Sequence, residues 1–495
     1  MTLQEAVKRD ADHVFFELTR SICPTCRRVI DAQVLLRDGR VFMRKRCPEH
    51  GWFEAHVYGD ADAYVRSARF NKPGTLPLAF GAELKDGCPY DCGLCPQHQQ
   101  HVCVGIIEVN SACNMACPLC FANAGAGFSL ALGEVEAILD DLVRTEGRPE
   151  VVQFSGGEPS IHPEIEKMLR AARERPIRHV MLNTNGKRIA RDDRFLQLLA
   201  ELRVSIYFQF DGFERETYRV LRGEPDILEE KLRALDRLAQ AGCRVILVPA
   251  VEQGVNQHEL GRIVRFGIEH PAVFGVNFQP AFHAGRHQPH DPLRRLTIPD
   301  LLREIEKQTE ALFRVSDFVP VPCCFPTCNS VSYAWIDGSE VLPLTRLLEV
   351  DRYLDYISNR AFPDTQGVRR ALEGLWSSSA VPGTVKAAAD LAISCAACDL
   401  DGLSDLGLKA IADRMFMVML QDFMDPWTLN QKNLMKCCKA ILLPGGSQVP
   451  FCAYNSLGYR EQARAQLTAW EPERKRWRRS GRPPEPRTIE FSFPR

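Results

Sequence analysis

Three cysteines, Cys113, Cys117 and Cys120, follow an apolar segment in the spacing C-x3-C-x2-C. Three thiolates can bind three of the four irons of a cubane cluster and leave the fourth iron without a protein ligand. A closed structural cluster uses four cysteines. The spacing therefore predicts an iron–sulfur cluster with one coordination position left for another molecule.

A second group of metal-ligand residues lies near the start of the chain. Cys23 and Cys26 precede, and Cys47 and His50 follow, two short predicted strands joined by an Asp-Gly turn at 38–39. Two ligand loops that flank a hairpin are typical of a zinc ribbon or rubredoxin-type knuckle. The bound ion could be zinc or iron, because tetrahedral sulfur-rich sites accept both. A metal-free hairpin is the alternative.

Four further cysteines, Cys88, Cys92, Cys95 and Cys103, lie within sixteen residues just ahead of the first predicted buried strand. They are enough for a complete [4Fe–4S] cluster, and a second zinc site is the alternative. The cysteines after residue 315 predict one further [4Fe–4S] cluster, or conceivably two, with structural zinc as the alternative. Its predicted ligands are Cys324, Cys328, Cys438 and Cys452, with Cys395 and Cys398 as rivals.

Strand and helix patterns alternate from about 104 to 315, the part of the chain that must position the three cysteines at 113–120. Amphipathic segments such as 132–143 and 227–241 have helical periodicity. Alternating β and α segments predict a parallel sheet with right-handed crossovers. The predicted strands are Gly105–Val109, Val151–Phe154, Val180–Leu182, Val204–Phe210, Val245–Val248 and Phe274–Phe278.

Polar or glycine-rich residues follow the ends of these strands. Chemistry in such sheets is concentrated at the carboxyl ends of the strands, so we expect these residues to surround a ligand. For the Asn-Gly and Asp-Gly segments, a simple strand-to-helix turn is the equal alternative. The candidates are Gly156, Gly157, Glu158, Pro159, Asn183, Asn185, Gln209, Asp211 and Asn256, with Asn277, Gln279, His283 and Arg286 expected on the substrate side.

The three-cysteine spacing with Phe121 after it, and the Gly-Gly-Glu-Pro segment one strand and one helix later, resemble the radical S-adenosylmethionine (SAM) superfamily. The resemblance implies a partial (β/α)6 barrel of the TIM type within an α/β fold. It implies that the open iron chelates the amino and carboxylate groups of SAM, and that the segment 156–159 meets the SAM ammonium group. It also implies that SAM or the substrate is contacted by Asn183, Asn185, Gln209 and Asp211. Asn256 would contact the adenine or ribose of SAM.

Several further segments narrow the resemblance over nearly the whole chain. The cysteine modules at 23–51 and 87–98, with 421–427, 435–438 and 450–455, resemble the branch that contains archaeal tetraether synthase, some members of which are pterin methyltransferases. The implied reaction is reductive cleavage of SAM to a 5′-deoxyadenosyl radical that abstracts hydrogen from an unactivated carbon, coupling lipid alkyl chains by a C–C bond. Methyl transfer to a pterin and radical modification of a peptide are the alternatives. An electron-carrier protein without catalysis is disfavoured by the Gly-Gly-Glu-Pro placement.

Composition sets limits on location and partners. The formal net charge of −1 gives no electrostatic footprint for nucleic acid. The chain has no run of eighteen apolar residues and no apolar segment at its start, so we expect a cytoplasmic protein without a signal peptide. Its 19 cysteines then indicate metal in a reducing compartment, and disulfides are the less favoured interpretation. The expected partners are a reductant such as ferredoxin or flavodoxin and a lipid or small-molecule substrate.

The domain organisation follows from these segments. A basic, proline-rich tail is expected to be mobile and solvated, and weak attraction to lipid headgroups at the inner membrane face is the second interpretation. The predicted divisions are a zinc-ribbon or rubredoxin-like module at 1–75, an auxiliary-cluster segment at 76–103, the core barrel at 104–315, a cysteine-rich α+β region at 316–470 and the tail at 471–495.

Overall fold

A computed structural model describes residues 11–287, 291–338, 340–346, 414–480 and 487–493 of the chain. The rival ligands Cys395 and Cys398 lie outside these residues. Every cysteine that the structure does describe is free of a disulfide. None of the helices in the described ranges is long and apolar enough to cross a membrane.

The N-terminal part forms a four-stranded antiparallel sheet in the order β1-β2-β3-β4. Both predicted strands of the hairpin are confirmed as β2 and β3. Asp38 and Gly39 between them have φ of 50° and 70°, the left-handed values that a tight two-residue hairpin turn requires. The flanking strands β1 and β4 were not predicted. The bounds are β1 Val14–Ile22, β2 Val29–Arg37, β3 Arg40–Cys47 and β4 Gly51–Tyr58, followed by helix α1 Ala61–Ser67.

A larger sheet contains six parallel strands at the six predicted positions, which confirms them. These strands are neighbours in the order β5-β6-β7-β8-β9-β11, and helices alternate with them as the periodicity predicts. Their bounds are β5 Val104–Asn110, β6 Val151–Gly156, β7 His179–Thr184, β8 Ser205–Gln209, β9 Val245–Val248 and β11 Val273–Pro280, with the short β10 Ala250–Val251 paired to β11.

Helices connect these strands, and their buried residues recur with helical spacing against the sheet. In α2, for example, Val135, Ile138, Leu139 and Leu142 are buried, which is the stripe of an amphipathic helix. The bounds are α2 Leu132–Glu146, α3 Ile165–Arg173, α4 Asp193–Glu201, α5 Arg215–Arg222, α6 Leu228–Gln240, α7 Leu260–Glu269 and α8 Ile298–Gln308.

Strands from the C-terminal part extend both edges of this sheet. Beside β11 lies β15, parallel to it, and then β13, antiparallel to β15. On the other edge β16 is parallel to β5 and antiparallel to β17. The bounds are β12 Val319–Pro320, β13 Asn329–Asp337, β14 Glu340–Pro343, β15 Met415–Gln421, β16 Lys439–Leu442 and β17 Gln448–Pro450, with helices α9 Gln431–Met435, α10 Phe451–Ser456 and α11 Tyr459–Ala469.

The basic tail differs from the mobile segment that its composition predicts. Helix α12 spans Glu471–Ser480, and Arg474 within it is completely buried. Its guanidinium binds both carboxylate oxygens of Glu134 on α2, at 2.6 and 2.9 Å. A buried ion pair with two hydrogen bonds anchors this part of the tail, because an unpaired buried charge is strongly unfavourable.

Candidate metal and cofactor site

A cavity of about 280 Å³ borders one face of the larger sheet. Residues of the six parallel strands line it, together with residues of β15 and β16. Cys113, Cys117 and Cys120 are part of its wall, in the loop that follows the carboxyl end of β5. The predicted three-cysteine site is therefore at the end of the strands where ligands are expected. Half-buried thiols around one cavity are a suitable donor set for an iron–sulfur cluster.

The Gly156-Gly157 segment is held directly against the loop that carries these cysteines. The Gly157 amide donates to the Asn110 carbonyl and the Glu158 amide to the Ala112 carbonyl, both at 2.8 Å. A Cβ on Gly157 would lie 2.1 Å from the Ala112 oxygen. Glycine is therefore required for this close approach, which places the end of β6 next to Cys113.

The carboxylate of Glu158 is committed to interactions within the protein. It is 2% exposed and accepts hydrogen bonds from the Ser160 amide (3.0 Å), the Thr184 hydroxyl (2.7 Å) and the Asn185 amide (2.8 Å). These bonds join the end of β6 to the end of β7. Glu158 therefore positions the backbone around the cavity, while its own carboxylate is already satisfied.

A half-buried cation lies beside Cys117. Arg222, at the end of α5, binds both oxygens of Asp211, at 2.7 and 2.6 Å. Burial raises the pKa of the Cys117 thiol, and the neighbouring Arg222 charge opposes that rise. Burial also raises the pKa of Cys113 to about 11. Thiolates at these positions therefore need nearby positive charge, which Arg222 and a bound metal would provide.

The structure divides the predicted cofactor residues into two sets. Asp211 and Asn256 are both fully buried behind the wall; the Asn256 amide group donates to the carbonyls of Asp211 and Ala250, at 2.8 Å each. These two side chains bond to other parts of the protein behind the wall, and their predicted contacts to a cofactor remain predictions. Pro159 starts a short turn outside the cavity. The residues that do line the cavity are Gly156, Gly157, Glu158, Asn183, Asn185 and Gln209.

The predicted substrate-side residues are divided in the same way. Asn277 and Gln279 line the cavity. His283 is buried outside it, and Arg286 binds the carbonyls of Cys117 and Ala124. The Arg286 side chain therefore braces the cysteine loop.

Sequence reasoning did not select two further polar residues of the wall, Tyr207 on β8 and Gln421 at the end of β15. Tyr207 could have been identified, because it precedes Gln209 by two positions in a strand and therefore points to the same face. Gln421 could not, since its neighbour β11 is 140 residues earlier in the chain.

Cys103 belongs to a different group from the one its spacing suggests. Its thiol lies within 4.8 Å of those of Cys323 and Cys438, and the Cys323 and Cys438 sulfurs are 3.5 Å apart. Cys103 directly precedes β5 and Cys438 directly precedes the parallel neighbour β16, so both lie at the amino ends of adjacent strands. The prediction that Cys103 joins Cys88, Cys92 and Cys95 is therefore not supported by this arrangement. The predicted ligand Cys324 has the Cys323 and Cys438 thiols as neighbours, so Cys323 joins the predicted set and does not replace Cys324.

The two cysteine groups border the same cavity from opposite ends. Cys323 and Cys438 line it, as do Cys113 and its partners. The seven residues of β5 lie between the two ends, a rise of about 23 Å at about 3.3 Å per residue. A molecule in the cavity would therefore lie between two potential metal centres.

The remaining cysteines form smaller groups. Cys88, Cys92 and Cys95 line one small pocket together with His98. The neighbouring Cys92 thiol lowers the pKa of Cys88. In the C-terminal part, burial raises the pKa of Cys328, and its charged neighbours include Cys324, Cys437 and Cys452. The predicted ligands Cys328 and Cys452 thus lie in the neighbourhood of Cys324 and Cys437.

The N-terminal ligand set is brought together as predicted. The ligand atoms of Cys23, Cys26, Cys47 and His50 all lie within 4.8 Å of one another. The sulfurs of Cys26 and Cys47 are 3.9 Å apart, close to the roughly 3.8 Å expected for tetrahedral ligands at about 2.3 Å from zinc. Burial opposes ionisation of Cys47, but the His50 ring helps to lower its pKa to about 6. The residues present fit a tetrahedral ion.

Comparisons with known proteins agree with this arrangement. Residues 107–267 match the sequence profile of the radical SAM superfamily, and residues 15–59 that of the HMPTM N-terminal zinc ribbon domain. The 7,8-dihydro-6-hydroxymethylpterin dimethyltransferase of Methanocaldococcus jannaschii is 31% identical over 483 residues, covering 90% of this chain and 94% of that protein. The GTP 3′,8-cyclase of Chlorobaculum tepidum is 30% identical over 33% of this chain and 49% of that protein.

Among solved structures, Streptococcus suis SuiB bound to S-adenosylmethionine aligns with a TM-score of 0.37 at 17% identity. The alignment covers 43% of this chain and 48% of that chain, so this chain spans about half the length of that structure.

Proposed function

Because the chain belongs to the radical SAM superfamily, as a radical SAM enzyme of the branch that includes a pterin dimethyltransferase, we propose that it transfers methyl groups to a pterin. The observation that carries this proposal is the 31% identity to that dimethyltransferase over 90% of this chain. Similarity of that extent includes the N-terminal module and the C-terminal part as well as the 107–267 core.

The proposed site assigns a role to each part of the cavity wall. Cys113, Cys117 and Cys120 would hold a [4Fe–4S] cluster, and the backbone of Gly156 and Gly157 would meet SAM. When bound, this pair supplies a 5′-deoxyadenosyl radical by one-electron reduction of SAM, with methionine as the second product. The mostly apolar wall would limit the access of water to that reactive chemistry.

The residues around the cluster loop act by holding it in place. Arg222 contributes a positive charge beside Cys117. Lys231, which is 1% exposed, donates to the carbonyls of Asn185 and Gln209, at 3.2 and 2.7 Å. It therefore ties together the ends of β7 and β8 that face the proposed SAM position.

The finer features belong to the same proposal. We infer that the six parallel strands form the partial (β/α)6 barrel of the superfamily, and that the N-terminal quartet binds zinc. The groups around Cys88 and Cys103 would hold auxiliary clusters, and a ferredoxin or flavodoxin would supply electrons. The C-terminal region and its cysteines would complete the substrate side.

Coupling of lipid alkyl chains and modification of a peptide remain predictions of the family resemblance. Their substrates differ enough from a pterin to be separated by experiment. A lipid substrate needs a long apolar channel, whereas amide side chains interrupt the apolar wall of this cavity. These amide groups within a mostly apolar wall favour a small heterocycle.

The test is an anaerobic incubation of iron-reconstituted protein with SAM, dithionite and 7,8-dihydro-6-hydroxymethylpterin. Parallel reactions supply the methyl group either from additional SAM alone or from an added reduced folate-type one-carbon donor, because the SAM that is cleaved to the radical keeps its methyl group on methionine. We expect 5′-deoxyadenosine and a pterin heavier by one or two methyl groups in mass spectra. The triple variant Cys113→Ala, Cys117→Ala, Cys120→Ala should give neither product. A contrary result is that the reaction forms 5′-deoxyadenosine but no methylated pterin with any of the one-carbon donors supplied. That result would overturn the assignment of a pterin as substrate and leave the radical chemistry intact.

A further inference from the structure

We propose that Tyr207 and Asn277 form the recognition edge for the 2-amino-4-oxopyrimidine ring of the substrate. This inference rests on the proposed function and names the part of the cavity that would select the pterin. Both residues line the cavity, Tyr207 from β8 and Asn277 from β11. They lie on the strands themselves, between the two cysteine groups.

The two side chains are locked by a hydrogen-bond network. The Asn277 amide nitrogen donates to the Tyr207 hydroxyl oxygen at 2.6 Å and to the Gln421 carbonyl oxygen at 3.2 Å. The Gln279 amide nitrogen also donates to the Tyr207 oxygen, at 2.7 Å. Four side chains from three strands are thus fixed relative to each other, which is the preorganisation that a selective site needs.

One atom of this network has no partner among the described residues. Asn277 is only 3% exposed, and its carbonyl oxygen is buried without a hydrogen bond. Leaving a buried acceptor unsatisfied costs about 1–3 kcal/mol. Because Asn277 borders the cavity, a donor on a bound molecule is proposed to supply this missing hydrogen bond.

Tyr207 supplies the complementary donor. Its oxygen already accepts hydrogen bonds from Asn277 and Gln279, so its own hydrogen is left to donate. Burial raises the pKa of Tyr207, which keeps the hydroxyl protonated at physiological pH. The wall therefore presents an acceptor and a donor side by side.

An aminopyrimidinone ring has the matching pattern. Its ring N–H and exocyclic amino group are donors, and they lie next to ring nitrogen or carbonyl acceptors. The faces of a flat ring need apolar contacts, and Met181, Ile246 and Met417 line the same cavity. The combination of apolar faces and a few polar contacts is typical of small-molecule sites.

Guanine nucleotides have the same ring edge, so recognition of the ring alone does not distinguish a pterin from a guanine nucleotide. A nucleotide triphosphate also needs several cations. Of the described residues that line the cavity, the cations are Arg222 and Lys439, and Arg222 is paired with Asp211. This charge distribution favours a pterin over GTP.

The test measures equilibrium binding of reduced 6-hydroxymethylpterin to the anaerobic holoprotein by isothermal titration calorimetry. Asn277→Leu and Tyr207→Phe should each weaken binding at least about tenfold, and Asn277→Asp, which keeps an acceptor oxygen, should retain more affinity than Asn277→Leu. Gln448→Leu is the matched control, because Gln448 is a buried glutamine with an unpartnered oxygen outside the cavity. Iron content and the visible absorption of the clusters check that each variant is folded and loaded.

Two ligand analogues extend the test. A lumazine, in which an oxygen replaces the 2-amino group, should bind wild type at least about tenfold more weakly and should not distinguish wild type from Asn277→Leu. Equal binding of pterin by wild type, Asn277→Leu and Tyr207→Phe would overturn the inference and leave the proposed function intact. Absence of both pterin binding and pterin methylation by wild type would overturn both, and tighter binding of GTP would overturn the choice of pterin.

Discussion

Cys103 and Cys438 lie side by side at the amino ends of two parallel strands, and the Cys103 amide donates to the Cys438 carbonyl at 2.9 Å. The pairing of Lys439 with Val104 sets this register. The Cys323 thiol completes the group from the segment before β13. Cysteines 335 positions apart in the chain therefore face one potential metal centre, and the centre borders the same cavity as Cys113.

This grouping predicts how metal content responds to substitution. Cys323→Ser and Cys438→Ser should each lower the metal content of the anaerobically reconstituted protein by the same amount, since each removes one ligand of a single centre. Metal and sulfide analysis would measure this, with Cys243→Ser as control because Cys243 is packed in the apolar core. Equal metal content in Cys438→Ser and wild type would contradict a shared centre.

The N-terminal quartet predicts an independent metal ion. Cys47→Ser should remove about one zinc ion per chain and leave the iron content unchanged, because within the described part of the chain these four ligand atoms form a group of their own. Mass spectrometry of the metals after gel filtration would measure both elements. If Cys47→Ser instead loses one iron ion per chain, the site is confirmed and the bound ion is iron.

The contact between β6 and the cysteine loop predicts a severe effect of a single methyl group. Gly157→Ala should lower the rate of 5′-deoxyadenosine formation about 100-fold, because the new Cβ meets the Ala112 carbonyl at 2.1 Å and displaces the start of the loop. Gly125→Ala in the same loop is the control, since its Cβ would meet only the Arg286 guanidinium, at 3.9 Å. Similar rates for the two variants would show that the loop tolerates the shift.

His179, at the start of β7, predicts a pH effect on stability. Burial, together with the charges of Arg178, Arg173 and Arg244, lowers its pKa to about 4. The ordinary value in the unfolded chain is about 6.5. Between these two pH values His179 is protonated in the unfolded chain but not in the folded protein. The contribution of neutral His179 to the free energy of unfolding is therefore fully present above pH 6.5 and is lost as the pH falls towards 4.

The variant His179→Gln lacks this proton, so its free energy of unfolding should fall less than that of wild type between pH 7 and pH 4.5, by about 2 kcal/mol. Denaturant titrations at a series of pH values, with equal metal loading, would measure the difference. Parallel stability profiles for the two proteins would show that His179 ionises normally in the fold.

The buried arginine of the tail predicts a structural role for α12. Arg474→Ala should lower the free energy of unfolding by about 3 kcal/mol, because Glu134 would be left buried without its cation. Arg476→Ala, at an exposed position of the same helix, should change it by less than about 0.5 kcal/mol. Equal effects of the two variants would support the mobile tail that the composition predicts.

Local spacing in the chain was sufficient for the parts of the site that lie on one loop or one strand. The ligands Cys23, Cys26, Cys47 and His50 are joined through a single hairpin, so their spacing already indicates a common ion. The six parallel strands were predicted for a similar reason. Each is a short apolar run whose burial depends on its own composition, and the cysteine loop and Gly156-Gly157 follow directly from two of these strands.

Strand order across the sheet decided the rest. Cys103 is eight residues from Cys95, yet the thiols that lie beside it are those of Cys323 and Cys438, because β16 pairs with β5. Tyr207, Asn277 and Gln421 meet because β8, β9, β11 and β15 are neighbours in that order. Burial of Arg474 likewise depends on where α12 packs. Contacts between distant segments follow from the packing of whole elements, which local periodicity and spacing do not encode.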